Sequence, residues 1–323
     1  DGTPLLLRAV VMERLNSLAD DKTNNYSPRH DDDFRELLRD QSTTIHPRFR
    51  LSIPEISLHA SGHQPSANMT MFAGSSETRT NTPPLTNVGG KLEVDATFDG
   101  PNVAWQNNLR AQLDRTDLDI KGQTVLPQEQ IDDAVAFTEV RLNRVQLGMG
   151  SDEFHVVPFL RAALDTEITP VELLDATASP PKVTTLPRQL LTQESLGVVA
   201  FPGQMLREVR LGALMQQDLT TETTRYDAGV TGGLRITVPL FASLVFDGGY
   251  DLRYLVPDGD DGPTDLGVRL VSVDKILLPI TSSLSFFIFT DAFVIGGKLP
   301  DTQDLASSLI FGAGITFAEG WKF

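Results

Sequence analysis

The sequence predicts an all-β fold: a closed, antiparallel, up-and-down barrel that crosses a membrane on about 14 strands, with about 12 as the lower bound. Three observations carry this. Apolar and polar residues alternate with period two along most of the chain, which is the signature of strands. The alternating stretches often run to about ten residues or more, where a soluble strand has about five or six and a tilted strand needs about 9–11 to cross a bilayer. The last stretch, SSLIFGAGITFAEGWKF, puts Leu309, Phe311, Ala313, Ile315, Phe317, Trp321 and Phe323 on one side, broken only by Glu319.

Composition fits a folded chain of this kind. There are 323 residues, of which 40% are hydrophobic, and they read as one domain over 1–323. No run reaches the ~18 uninterrupted apolar residues of a membrane helix, which excludes helical spans and leaves strands open. A net charge of -16 without basic stripes argues against a nucleic-acid partner. The absence of cysteine removes thiolate metal sites, disulfides and cysteine nucleophiles together.

The elements follow in order. A first strand is expected over 4–16, although TPLLLRAVVMERLNSL also fits a helix with Thr3 as cap and Pro4 in its first turn. Two more are expected over 47–59 and 66–76. In 89–98, Leu92, Val94, Ala96 and Phe98 oppose Lys91, Glu93, Asp95 and Thr97. In 103–115, Leu109, Ala111 and Leu113 oppose Arg110, Gln112 and Asp114. Strands are then expected over 134–147, 153–166, 191–201 (the weakest alternation) and 206–218. In 224–238, Tyr226, Val230, Leu234 and Ile236 oppose Asp227, Thr231 and Arg235. In 242–255, Phe246, Tyr250, Leu252 and Tyr254 oppose Asp247, Asp251 and Arg253. The last three cover 264–276, 283–296 and 307–323.

The connections alternate in length. GKLPDTQD, PDGDDGPTD, TTETT, the 167–190 stretch, DLDIKGQTVLPQEQ, SETRTNTPPLT and the 17–46 segment are mostly long and polar. LPITSS, PLFAS, FPGQ, GMGSD, DGPN and SGHQP are short. Long loops at one end and short turns at the other are the habit of membrane barrels. Within 17–46, Asp31, Asp32 and Asp33 followed by Phe34, Leu37 and Leu38 predict a short amphipathic helix in that loop. A large β-sandwich or solenoid alternates too, but it needs neither the terminal aromatic row nor strands this long.

The terminal GITFAEGWKF resembles the carboxy-terminal signal of bacterial outer-membrane β-barrel proteins, with Phe323 last, Trp321 two before it, and Phe317 and Ile315 in the alternating row. The resemblance implies residence in the bacterial outer membrane, contact with its lipid and lipopolysaccharide, and insertion by the barrel-assembly machinery. It also implies short turns in the periplasm and long loops outside. Glu319 then lies at headgroup level.

Within a barrel, the polar faces become the lumen. Arg110, Arg141, Arg161, Arg210, Arg235, Arg253 and Arg269 each fall within a strand, and Asp95, Asp114, Glu139, Asp165, Asp227, Asp247 and Asp251 share their faces. Opposing charges along a water-filled path select solutes, so the expected function is a porin-like channel for small hydrophilic solutes. A salt-bridged interior that closes the lumen is the alternative, and the protein is then a structural barrel whose long loops hold an envelope protein partner. His59 two before Ser61 resembles the His-x-Ser of outer-membrane lipases, a weak third reading. No P-loop, dinucleotide fingerprint or metalloprotease motif occurs, so neither enzymatic activity nor a cofactor is expected. Asp258, Asp260, Asp261 and Asp265 are spaced like calcium ligands, but the twelve-residue pattern with its terminal Glu is incomplete, and a solvated turn is the better reading.

Overall fold

The computed structural model describes residues 48–72, 85–116, 128–143, 155–168, 172–175, 182–185, 188–202, 205–220, 224–240, 243–259, 261–262, 265–299 and 304–322. Twelve antiparallel strands close a barrel among them. They are β1 (Arg48–Pro65), β2 (Leu85–Asp99), β3 (Ala104–Thr116), β4 (Gln128–Arg141), β5 (His155–Thr166), β8 (Leu190–Phe201), β9 (Leu206–Asp218), β10 (Arg225–Pro239), β11 (Val245–Leu255), β12 (Leu266–Pro279), β13 (Leu284–Gly297) and β14 (Ala306–Lys322). Each pairs with its neighbour in sequence, and β1 closes the ring on β14. A small separate hairpin, β6 (Glu172–Asp175) with β7 (Lys182–Thr185), lies in the connection between β5 and β8. Barrel strands of 11 to 18 residues all suffice to cross a bilayer at a tilt.

Two expected strands are not among these twelve. The first, 4–16, lies outside the described residues, as do the helix expected in 17–46 and residue Phe323. The second, 66–76, is instead a short 3-10 helix over Ala67–Phe72. Its buried residues, Met69 and Phe72, are three apart, the period of that helix rather than of a strand. They pack on Phe293, Ile295 and Ala306, so the turn is tucked against the inner wall at the long-loop end. Removing both strands leaves an even count, so β1 starts and β14 ends at the same end of the barrel.

The expected turn SGHQP is strand as well. β1 continues unbroken to Pro65, with Ser61 and His63 buried on its inner face. The register of β1 shifts between Ser52 and Glu55 against β2, and between Ile53 and Ile56 against β14. Pro54 sits in this bulge, where the lost N–H costs no ladder bond. The extra residue flips the alternation: Arg50 faces inward below the bulge, and Glu55, Ser57 and His59 above it.

The connections sort by length. At the end where β14 finishes, the turns 100–103, 202–205, 240–244 and 280–283 are short, and 142–154 is the exception. The strand ends at the other end are linked by 66–84, 117–127, 167–189, 219–224, 256–265 and 298–305.

Outward rows are apolar. Leu58, Leu92, Leu109, Leu160, Leu196, Leu211, Val230, Leu252, Ile288, Phe311, Ile315 and Phe317 are all exposed on the outer wall. Such a wall is unstable in water and matched to hydrocarbon. The inner wall is not uniformly polar. Phe159, Val199 and Phe201 form one buried inner cluster, and Phe287, Phe289 and Ile310 another. β13 is therefore apolar on both faces, with Phe286 and Ile288 outward and Phe287, Phe289 and Phe293 inward.

Candidate functional site: the charged lumen

Every arginine singled out from the sequence is brought to the inner face and meets an inward acid. Near the short-turn end, Arg141 Nε donates to Glu139 Oε1 at 2.6 Å, and its Nη2 reaches Glu208 at 3.3 Å. Arg210 bonds Glu208 and lies 3.4 Å from Glu139, and Arg161 stands 3.9 Å from the same Glu139 oxygen. Arg141 and Arg210 lie over the Phe201 and Phe159 rings, at 5.2 Å and 5.3 Å from their centroids.

Halfway up, Arg110 donates to Asp133 at 2.9 Å, and Arg235 to Asp251 at 3.2 Å. Arg161 spreads its guanidinium on the Phe137 ring, 3.6 Å from the centroid. Toward the long-loop end, Asp165 of β5 lies 3.5 Å from Arg269 of β12 and 3.7 Å from Arg253 of β11. Between β5 and β12 the shorter arc of the ring holds β8, β9, β10 and β11. These contacts therefore span the lumen rather than run along its wall.

Other inward groups were less visible in the sequence. Glu55 gathers Lys91 and Lys275, each at 2.6 Å, and accepts a further hydrogen bond from Ser57. Their signal was present in the alternation, but the bulge at Pro54 hid which face Glu55 takes. Asp95 accepts from Asn108, and Asp247 from Thr237 at 3.1 Å. His59 and Ser61 face the lumen, not the lipid, and His59 Nε2 is 2.9 Å from Asp114 Oδ1. The expectation that the strand ends at His59 and that Ser61 opens a short turn is thus corrected. Ile315 and Phe317 of the terminal row face outward, and the Trp321 backbone pairs with Leu51.

At the long-loop mouth, the carboxylates of Asp227, Asp258 and Asp261 come together. The protein supplies their cation itself. Lys298 donates to Asp227 and, at 2.7 Å, to Asp261, and its side chain is almost wholly buried. Asp265 turns away to Arg225 at 2.7 Å, and Asp260 lies outside the described residues. Burial pushes the Asp261 carboxyl up, but hydrogen bonds from Lys298 and the Asp258 backbone, then the charges of Lys298 and Arg225, hold it below the ordinary carboxylate value. Burial pushes Lys298 down, and its bonds to Asp227 and Asp261 outweigh this and hold it above the ordinary lysine value.

Closure of an even number of antiparallel strands, an apolar outer wall and a charged interior define the class: this is a transmembrane β-barrel of the outer-membrane type. No protein-family model and no curated protein matches the chain. Among solved structures it is similar to the translocator domain of the autotransporter NalP from Neisseria meningitidis, at 11% identity over 88% of this chain and 92% of that one, with a TM-score of 0.39. It is also similar to outer membrane phospholipase A from Escherichia coli, at 9% identity over 82% and 96%, with a TM-score of 0.44. The NanC porin aligns at 10% identity over 80% and 98%, with a TM-score of 0.37.

Proposed function

We propose that this barrel is a narrow outer-membrane channel that passes small hydrophilic solutes along its charged lumen. One observation carries the reading. Side chains that the barrel surrounds on every side keep much of their surface accessible: 38% for Arg110, 39% for Arg235 and 48% for Asp251. Charges held in open internal space are what a water-filled path requires. The short-turn end is the periplasmic side in this reading, and the long loops face outward. The terminal row of Ile315, Phe317, Trp321 and Phe323 serves as the signal by which the assembly machinery inserts the chain, and lipid and lipopolysaccharide surround the outer wall. The reading needs no catalysis, and the inward placement of His59 and Ser61, away from the lipid face where a lipase would meet its substrate, supports it over the lipase reading.

A second reading has its own support. The Asp165 contacts across the lumen and the inner phenylalanine clusters favour a sealed barrel that acts through its long loops on an envelope partner. Liposome swelling separates the two. Proteoliposomes containing the refolded chain swell in isotonic small-solute buffer if the lumen passes solute. Swelling no faster than protein-free liposomes favours the sealed barrel.

A further inference from the structure

The middle of the lumen is built around one carboxylate. Asp251 is half-exposed, and Arg235 donates to it at 3.2 Å. Arg161, Arg210 and Arg253 lie within electrostatic reach of the same carboxylate. These four arginines come from β10, β5, β9 and β11, so they converge from a broad arc of the wall. Arg210 Nε is buried and has no hydrogen-bond acceptor, and Arg253 Nη1, also without a hydrogen bond, lies 3.7 Å from Asp165 Oδ2.

A glycine makes part of the space: a Cβ on Gly249 would collide with Arg235 Nη1. Gly233 lines the same site, where a Cβ would meet Asp251 Oδ1 and the Arg210 Cβ at ordinary contact distance. The Phe137 ring holds the Arg161 guanidinium by its face, which leaves the N–H edge for an acceptor.

We propose that this arginine cage binds the carboxylate of a small anionic solute, with Asp251 as a tethered stand-in that the solute joins or displaces. The inference rests on the channel reading, because the solute must reach the lumen. Guanidinium forks match the planar two-oxygen edge of a carboxylate, and the group already seated among them is a carboxylate.

Succinate and inorganic phosphate are the probes, titrated calorimetrically into the refolded full chain in detergent. Wild type binds succinate. Asp251→Asn removes the competitor and tightens succinate about tenfold, while Arg235→Gln weakens it about tenfold. Arg235→Lys keeps the charge, loses the fork and gives an intermediate value; it carries the test if the glutamine variant does not refold. Absence of succinate binding to both wild type and Asp251→Asn overturns the cage. So does phosphate binding tighter than succinate in Asp251→Asn. Conductance of the same preparations keeps the two readings apart. A barrel that conducts without binding succinate refutes the cage alone, and one that binds succinate without conducting refutes the channel alone.

Discussion

His59 of β1 and Asp114 of β3 meet at 2.9 Å across an entire intervening strand. Gly89 of β2 stands in register with both. A Cβ there would collide with Asp114 Oδ1 and lie 2.8 Å from His59 Nε2. The imidazole is also held edge-on by Phe289, with centroids 5.1 Å apart. The bond exists because the residue between its partners has no side chain. Gly89→Ala forces the pair apart and leaves two buried polar groups short, a loss of about 1–3 kcal/mol. Urea unfolding of the refolded protein in detergent measures it. An unchanged midpoint contradicts the arrangement.

Asp165 tethers two guanidiniums from the far wall. In the channel reading it is a gate bar. Asp165→Asn releases Arg253 and Arg269, so single-channel conductance rises and the reversal potential in a salt gradient moves toward anion selectivity. If both stay at wild-type values, Asp165 does not stand in the path.

The Lys298 contact at the mouth is set by charge and is pH-dependent in one practical direction. The lowered Asp261 contributes stability that is complete above its unfolded value and is lost as pH falls through the lower folded one. The raised Lys298 contributes stability that is complete below its unfolded value and is lost only as pH rises past the higher folded one. The contact therefore holds between the ordinary carboxylate value and the ordinary lysine value, and opens in acid below the ordinary carboxylate value. Spin labels at Gly259 and Leu305 report it: their distance distribution is narrow in the first window and broadens in acid. Lys298→Met is broad throughout. A distribution that ignores acid contradicts the assignment.

The lipid face carries a bonded carboxylate. Tyr250 Oη donates to Asp274 Oδ1 at 2.7 Å, and Ser272 Oγ donates to Oδ2 at 2.9 Å. All three belong to the outward rows of β11 and β12. A carboxylate on that wall is costly unless its oxygens are bonded. Tyr250→Phe removes one donor and destabilises the barrel by about 1–2 kcal/mol; Tyr254→Phe on the same row serves as the comparison and changes little. Equal effects of the two would mean that the Asp274 bond contributes nothing.

Much of this architecture was legible because period two survives in a barrel wherever the lumen is charged. KLEVDATF and DGGYDLRYL each divide cleanly, and the structure puts Asp95, Asp251 and Arg253 inside as the alternation requires. The pattern misled where both faces share a character. In SFFIFTDAF the phenylalanines face both ways, so the inner aromatic cluster carried no signal. In β1, the glycine, histidine and proline of SGHQP read as a turn, because lumen polarity and turn polarity look alike in one dimension. ANMTMF alternates weakly, but its burial follows a period of three that a run of six residues hardly displays. Contacts such as Asp165 with Arg269 depend on which strands face each other across the ring, and no local pattern encodes that.

The most direct test of the central claim is planar-bilayer conductance of the refolded chain, after heat-modifiable gel migration has established that the barrel is closed. A channel gives discrete, reproducible current steps. A closed barrel that inserts yet stays electrically silent contradicts the open lumen and assigns the protein to the sealed, partner-holding reading.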